Sequence, residues 1–435
     1  MRLYGTQTIR NNQLYIGGVS ALELAKTYGT PLYVMDEEEI RDRARIFREN
    51  FSHEDIDTEV IYASKAFMTK AMAKLIQEEN LSLDVVSGGE LYTALSAGFP
   101  EEKIYFHGNN KSIEELDYAV TSKVGTIILD NEDESERLKG LLEEKNQIQR
   151  VILRVNPGIE AHTHEYISTT KNDSKFGVSI FSEDTLSLIR SLEEDPVFDF
   201  RGIHCHIGSQ IFEEVSFFKA VEEMLLYMKK LNDNGIHVKE LNLGGGFGVS
   251  YEETDEPMVY RTFLPKLLDH VAAISRKYEL MPFKVLIEPG RAIVANAGTT
   301  LYEVGGTKTT YGGKNYVFVD GSMADHIRTV LYDASYSAHL ANRMEDNLEE
   351  VYTVTGKACE SGDILVRDVS LPVPEKKDLL AVFSTGAYHY SMASNYNRLR
   401  KPAVVFVKDG KSRIVVKRET YEDLVRNDVM EEYEG

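Results

Sequence analysis

The stretch Glu59-Val60-Ile61-Tyr62-Ala63-Ser64-Lys65 is a short apolar run that ends on an amine, and a helical pattern follows from about Thr69 to Glu79. The same arrangement recurs downstream. Apolar, strand-like runs end near Ser87, His107, Asp130, Asn156, His206, Gly244 and Glu288, each followed or preceded by an amphipathic helical stretch. Eight strands alternating with helices predict an α/β fold of the (β/α)8 TIM barrel type, in which the strand C-termini carry the chemistry. Lys65 is thereby expected at the mouth of the barrel, at the end of its first strand.

The seventh run, Lys239-Glu240-Leu241-Asn242-Leu243, breaks into Gly244-Gly245-Gly246-Phe247-Gly248, whose backbone N–H groups can approach an anion without Cβ interference. The eighth, Phe283 to Ile287, ends in Glu288-Pro289-Gly290-Arg291. Barrels of this class commonly hold phosphate in the loops after strands seven and eight. A tight turn alone would also explain the glycines, but their place after strand seven favours phosphate.

Beyond Arg291 the helical periodicity nearly stops. Short β-rich runs take over at Leu301 to Val304, Asn315 to Asp320, Val351 to Thr355 and Asp378 to Phe383. A last pair, Ala403 to Val407 and Ser412 to Val416, is joined across Lys408-Asp409-Gly410-Lys411, an Asp-Gly hairpin signal. The expected organisation is three segments. Residues 1–35 supply N-terminal strands, residues 36–290 form the barrel, and residues 291–435 form a C-terminal antiparallel β domain that the N-terminal strands join.

Composition narrows the function classes. A formal net charge of −21 over 435 residues disfavours nucleic acid and anionic membranes as partners, because both would repel the surface on average. Met1 to Gln7 has no apolar signal core, no run of eighteen apolar residues occurs, and Cys205 and Cys359 are the only cysteines. A disulfide framework is therefore excluded, and a cytoplasmic setting is expected.

A lysine opposite a phosphate site suggests Schiff-base chemistry on a phosphorylated carbonyl compound, since an amine inside a barrel can be held partly neutral and nucleophilic. Schiff-base catalysis of the aldolase kind would use the same pair. His204 and His206 share one face of strand six and Cys205 the other. Two histidines on one face invite a metal reading, but no third ligand stands at a telling spacing, and no metal is expected. Cys205 reads as a small packing residue between strand and helix.

Several ordered blocks go further. Tyr62-Ala63-Ser64-Lys65-Ala66-Phe67, Asp84-Val85-Val86-Ser87-Gly88-Gly89-Glu90, His204-Cys205-His206-Ile207-Gly208-Ser209-Gln210, Leu243 to Gly248 and Glu288-Pro289-Gly290-Arg291 resemble the pyridoxal-phosphate decarboxylases of the ornithine, arginine and diaminopimelate group. Lys357-Ala358-Cys359-Glu360-Ser361-Gly362-Asp363, Gly386-Ala387-Tyr388 and Ser394-Asn395-Tyr396-Asn397 are similar to its diaminopimelate branch. The resemblance spans nearly the whole chain, in order and spacing.

The resemblance implies an alanine racemase-like fold, pyridoxal 5'-phosphate as cofactor, and decarboxylation of meso-diaminopimelate to lysine. It makes Lys65 the residue that holds the cofactor as a Schiff base. Ser209, Gly245, Gly246, Gly290 and Arg291 become the phosphate cradle, His206 the ring stacked on the pyridine, and Glu288 the carboxylate facing the pyridine nitrogen. Asp84, Glu90 and Arg154 become supporting polar groups. A carboxylate at the ring nitrogen keeps it protonated and makes the ring a strong electron sink. Cys359 matches the family's general acid, and Glu360 the diaminopimelate pattern beside it, where relatives acting on ornithine carry aspartate.

Arg328 and Tyr332, in Met323-Ala324-Asp325-His326-Ile327-Arg328-Thr329-Val330-Leu331-Tyr332, resemble the family's substrate segment. Arg291 and Tyr388 complete the expected substrate contacts, with Tyr388 also near the cofactor phosphate. The segment departs from the family pattern in two places: Ser322 stands where a second glycine is common, and Thr329 where a proline is common. The resemblance further implies a homodimer with shared active sites. The alternatives are a related pyridoxal-phosphate decarboxylase for another basic amino acid or carboxylated diamine, and a non-catalytic binding protein of the same fold.

Overall fold

The computed structural model describes residues 2–159 and 174–430. The chain divides into two compact units, one of residues 41–249 and 256–293, the other of residues 2–40, 250–255 and 294–430 among those described.

The first unit is an eight-stranded parallel barrel. Its strands are β1 (Thr58–Ala63), β2 (Ser82–Val85), β3 (Ile104–Phe106), β4 (Thr126–Leu129), β5 (Gln149–Asn156), β6 (Phe198–His204), β7 (Glu240–Asn242) and β8 (Lys284–Ile287). Each pairs with the next, and β8 returns to β1 with Val285 opposite Thr58, which closes the sheet. Strands buried on both faces read as apolar runs, as in Thr126-Ile127-Ile128-Leu129, which is buried throughout. Helices start soon after the strands because the connecting loops carry N-caps. Thr69 Oγ1 accepts the Met72 N–H at 3.1 Å and Ser87 Oγ the Glu90 N–H at 3.2 Å. Asn131 Oδ1 accepts the Glu134 N–H at 3.0 Å, and Ser112 forms a capping box with Glu115. Each such cap is worth about 1 kcal/mol.

Side chains alternate along each strand, so the barrel interior is layered. At the N-terminal end the Glu59 carboxylate is reached by Lys284, by Ser82 and, at 3.2 Å, by the Tyr105 hydroxyl. A middle layer of Ile61, Tyr105, Ile128, Ile152 and Leu286 fills the centre. Two residues further along three of those strands stand His107, Arg154 and Glu288, and the neighbouring strands β2, β6 and β7 carry Asp84, His204 and Asn242 at their C-terminal ends. The barrel is plugged below and polar above, which confines its chemistry to the C-terminal end.

The second unit is β-rich. A small sheet of Thr8–Arg10, Gln13–Ile16 and Val19–Ser20 stands apart from a nine-stranded sheet. In the larger sheet the long strand Gly298–Thr309 pairs with Leu32–Asp36, Leu379–Phe383 and Asn315–Val319. The Asp-Gly hairpin forms, with φ of 50° at Asp409 and 70° at Gly410, the left-handed pair that a two-residue turn of twisted strands requires.

The sheet is not wholly antiparallel. Leu32–Asp36 runs parallel to Ala403–Lys408, and Asn315–Val319 parallel to Glu350–Thr355. Periodicity along a run cannot report the direction of its neighbour. Two strands also escaped the apolar pattern: Ile364–Leu371, half exposed and carrying Arg367 and Asp368, and the short Ala338–Leu340. Residues 250–255 cluster with this unit. Among the described residues no helix is long and apolar enough to cross a membrane.

Candidate active site

A cavity of about 340 Å³ opens at the C-terminal end of the barrel, with Lys65, Asp84, His107, Arg154, His204, His206 and Glu288 on its walls. Lys65 stands in a single helical turn, Ser64–Ala66, directly after β1. Two contacts fix that turn. Ser64 Oγ donates to Glu90 Oε2 at 2.9 Å, and the same oxygen accepts the Val86 N–H at 2.8 Å, so Glu90 clamps the ends of β1 and β2 together. From the other side the Ala63 N–H donates to the Pro289 carbonyl at 3.2 Å. The Glu288-Pro289-Gly290-Arg291 turn thus packs against the lysine turn, and a Cβ on Gly290 would lie 2.9 Å from the Ala63 carbonyl oxygen.

Glu288 is buried and closely held. Asn242 Nδ2 donates to Oε1 at 2.7 Å, His204 Nε2 lies 3.1 Å from Oε2, and His107 Nε2 lies 2.9 Å from Oε1. Burial opposes the charge, but His107 and His204 outweigh it and hold this carboxyl well below the usual carboxylate range. His204 is itself pushed down to about 4, chiefly by burial, although Glu288 pulls the other way. The opposite happens across the cavity. Burial, with a further contribution from Glu288, raises Asp84 to about 7, although His107 pulls the other way. One of its oxygens is buried without a hydrogen-bond partner among the described residues.

Two carboxyl groups facing one cavity are therefore set to opposite protonation tendencies, a signature of functional sites. Arg154 completes the wall, its guanidinium 4.4 Å from the centroid of the Phe176 ring.

The loops after β6, β7 and β8 meet beside the cavity. Arg291 Nη2 donates to Ser209 Oγ at 2.8 Å, the Gly245 N–H to His206 Nδ1 at 3.1 Å, and the Gly244 N–H to Asn242 Oδ1 at 2.9 Å. Glycine at 244 is needed for packing: its φ is +68°, and a Cβ would come within 2.3 Å of the Cys205 carbonyl oxygen. Glycine is needed at 246 as well, where φ is +110° and a Cβ would lie 2.8 Å from the Gly208 carbonyl oxygen. The Gly246 N–H has no partner among the described residues, which leaves it available to an anion beside Ser209 and Arg291.

In the β unit, Arg328, Tyr332 and Tyr388 come together. The Arg328 guanidinium carbon lies 4.7 Å from the Tyr332 ring centroid and 5.2 Å from that of Tyr388, and Arg328 Nε donates to Tyr336 Oη at 3.0 Å. Both departures from the family pattern have structural work. The Thr329 hydroxyl donates to the Leu365 carbonyl at 2.6 Å, and Ser322 Oγ accepts the Ala324 N–H at 3.0 Å. Cys359 is exposed, its N–H held by Asn397 Oδ1 at 2.7 Å, and Glu360 receives a 3.4 Å bond from Tyr396 Oη. Cys205 is fully buried, and burial pushes its thiol up to about 12, as suits a packing residue.

Sequence reasoning passed over His107 and Asn242 as site residues and took His204 only as a ligand candidate beside His206. The cluster that forms is His107, His204 and Glu288, with donor atoms all within 4.8 Å of one another. Period-2 counting back from Gly244 to Asn242, or from His206 to His204, was the available signal.

Comparison with known proteins agrees with this geometry. Residues 37–295 match the pyridoxal-dependent decarboxylase family through its pyridoxal binding domain. The chain is 49% identical to the diaminopimelate decarboxylase of Bacillus subtilis over 99% of this chain and 98% of that one. It is 45% identical to that of Staphylococcus aureus over 96% of this chain and 98% of that one. Among solved structures it resembles diaminopimelate decarboxylase from M. jannaschii in complex with L-lysine, with a TM-score of 0.91 and 32% identity over 98% of both chains. Matched along most of its length, and carrying a lysine, a clamped carboxylate and a glycine-arginine cradle at one barrel mouth, the chain belongs to the pyridoxal-dependent decarboxylases.

Proposed function

We propose that this chain is a diaminopimelate decarboxylase, converting meso-2,6-diaminopimelate to L-lysine and CO2 in the last step of lysine biosynthesis. The observation that carries the substrate assignment is Arg328, buried against Tyr332 and Tyr388 with its Nε held by Tyr336. A fixed guanidinium in an apolar frame suits a carboxylate, and a diamine without a distal carboxylate would leave it unmatched. The identity to diaminopimelate decarboxylases over nearly the full chain supports the same reading.

The barrel residues fit pyridoxal phosphate. Lys65 would carry its carbonyl carbon, the Gly246 N–H, Ser209 and Arg291 its phosphate, with Gly245 and Gly290 lining that end, and His206 would lie against its ring. Glu288, held ionised by its neighbours, would keep a proton on the ring nitrogen. Bound there, pyridoxal phosphate supplies an electron sink for the pair released as CO2 departs. Asp84 and Arg154 set the charge of the cavity around Lys65. Arg328 binds the distal carboxylate of the substrate and Glu360 its distal ammonium. The Cys359 thiol then gives its proton to the carbon that lost CO2.

Cys359 and Glu360 face solvent in the single chain. This suits a homodimer in which each loop completes the partner's site, and the enzyme would work in the cytoplasm. The test of the central assignment is borohydride reduction with pyridoxal phosphate bound. The label is expected on the peptide that contains Lys65, with loss of activity, and a visible absorption band should shift when meso-diaminopimelate is added. Label on another lysine, or no visible band, would refute the assignment.

A further inference from the structure

We propose that Asn242 is a positioning residue that ties the two ends of the pyridoxal site together, an inference that rests on the roles proposed for Glu288 and the glycine loop. Asn242 is fully buried and does not line the cavity. Its side chain spans two functional elements. Oδ1 accepts the Gly244 N–H at 2.9 Å, and Nδ2 donates to Glu288 Oε1 at 2.7 Å. The orientation of the amide follows from its partners. A backbone N–H can only donate, so the atom facing Gly244 must be the oxygen, and the nitrogen is left for a carboxylate that must accept.

One amide therefore sets the carboxylate assigned to the ring nitrogen and the start of the loop assigned to the phosphate. A second link runs parallel to it, from the Glu288 N–H to the Gly244 carbonyl at 2.8 Å. The backbone joins the two loops, and Asn242 fixes the reactive side chain of one against the other. His107 and His204 hold Glu288 as well, but the Gly244 N–H is taken by Asn242. Asn242 is the group positioned to couple both ends.

Two substitutions separate the two bonds. Asn242→Asp keeps an acceptor for Gly244 but sets a second carboxyl against Glu288, so the pair must share a proton and the hold on the ring nitrogen weakens. Asn242→Ala removes both bonds. The measurement is equilibrium dialysis of each apo-protein against pyridoxal phosphate and against pyridoxal, which lacks the phosphate; the ratio of the two affinities reports the phosphate end. In the aspartate variant both affinities should fall by the same factor, roughly ten- to a hundredfold, with the ratio at the wild-type value. In the alanine variant the ratio itself should fall, by roughly tenfold or more. A residue that served only stability would lower the melting temperature and leave the ratio alone.

A wild-type ratio in the alanine variant, or unchanged pyridoxal affinity in the aspartate variant, would overturn the proposal. If the aspartate chain does not fold, the alanine ratio decides alone. Glu288→Gln serves as the control. Unchanged cofactor affinity there would overturn the underlying reading of the site, whereas a weakened Glu288→Gln beside unaffected Asn242 variants would overturn only the role of Asn242.

Discussion

Lys111→Met should destabilise the barrel unit by about 3 to 5 kcal/mol, the cost of leaving a buried charge without its partner. Lys111 is an ammonium inside the protein. Its Nζ donates to Glu134 Oε1 at 2.6 Å, to the Ile128 carbonyl at 2.8 Å and to the Gly108 carbonyl at 3.0 Å, and the two charged side chains are 1% and 0% exposed. Burial lowers the pKa of the lysine and raises that of the glutamate, so desolvation opposes both charges more than their attraction repays. Two consequences follow. The double variant Lys111→Met/Glu134→Leu should recover to within about 1 kcal/mol of wild type, because it removes both desolvated groups.

The single variant should also show a distinctive pH dependence. Its stranded Glu134 has a folded pKa raised above the unfolded value, so the folded state binds the extra proton and the deficit shrinks as pH falls through the folded pKa. Urea unfolding of the apo-proteins, followed by circular dichroism between about pH 5 and 8, measures all three quantities. A single-variant cost below about 1 kcal/mol, or a double variant less stable than the single, would refute the reasoning. Since Gly108 lines the cavity beside His107, loosening of this loop should also appear as weaker binding of pyridoxal phosphate.

Asp84→Asn tests the second carboxyl of the cavity. The folded pKa of Asp84 is raised from 3.8 to about 7, so ionisation costs the apo-protein stability as pH rises through that window. The asparagine variant should accordingly gain up to about 4 kcal/mol on wild type at pH 8, and a wild-type slope between pH 4 and 8 in the variant would contradict the assignment. Arg328→Ala should cost on the order of 2 to 5 kcal/mol of transition-state stabilisation for diaminopimelate, read as kcat/KM, with no parallel fall for ornithine or lysine. A wild-type preference for either of those amino acids would show the substrate assignment to be wrong. Mixing inactive Lys65→Ala and Cys359→Ala chains under verified subunit exchange should restore about a quarter of wild-type activity, since half the dimers would be mixed and each would hold one intact site. Mixed dimers that stay inactive would place both residues in one chain's site.

The barrel could be read from the sequence because parallel strands buried on both faces must be apolar throughout, and the helices between them begin at recognisable caps. The ends of the eight runs, from Lys65 to Glu288, came with that pattern, and so did the glycine loop and the lysine. Strand direction in the β unit did not, because alternation within Asn315–Val319 or Leu32–Asp36 is the same beside a parallel or an antiparallel neighbour. The environment of Glu288 was equally out of reach of the sequence. His107, His204 and Asn242 lie at the end of β3, on β6 and on β7, which is 181, 84 and 46 residues from Glu288 along the chain, and only barrel closure brings them within 3.1 Å of its carboxylate. A sequence displays which groups can ionise; which of them do is decided by what burial and neighbouring charges the fold supplies, and that is why Asp84 and Glu288, both carboxylic acids at strand ends, part in opposite directions.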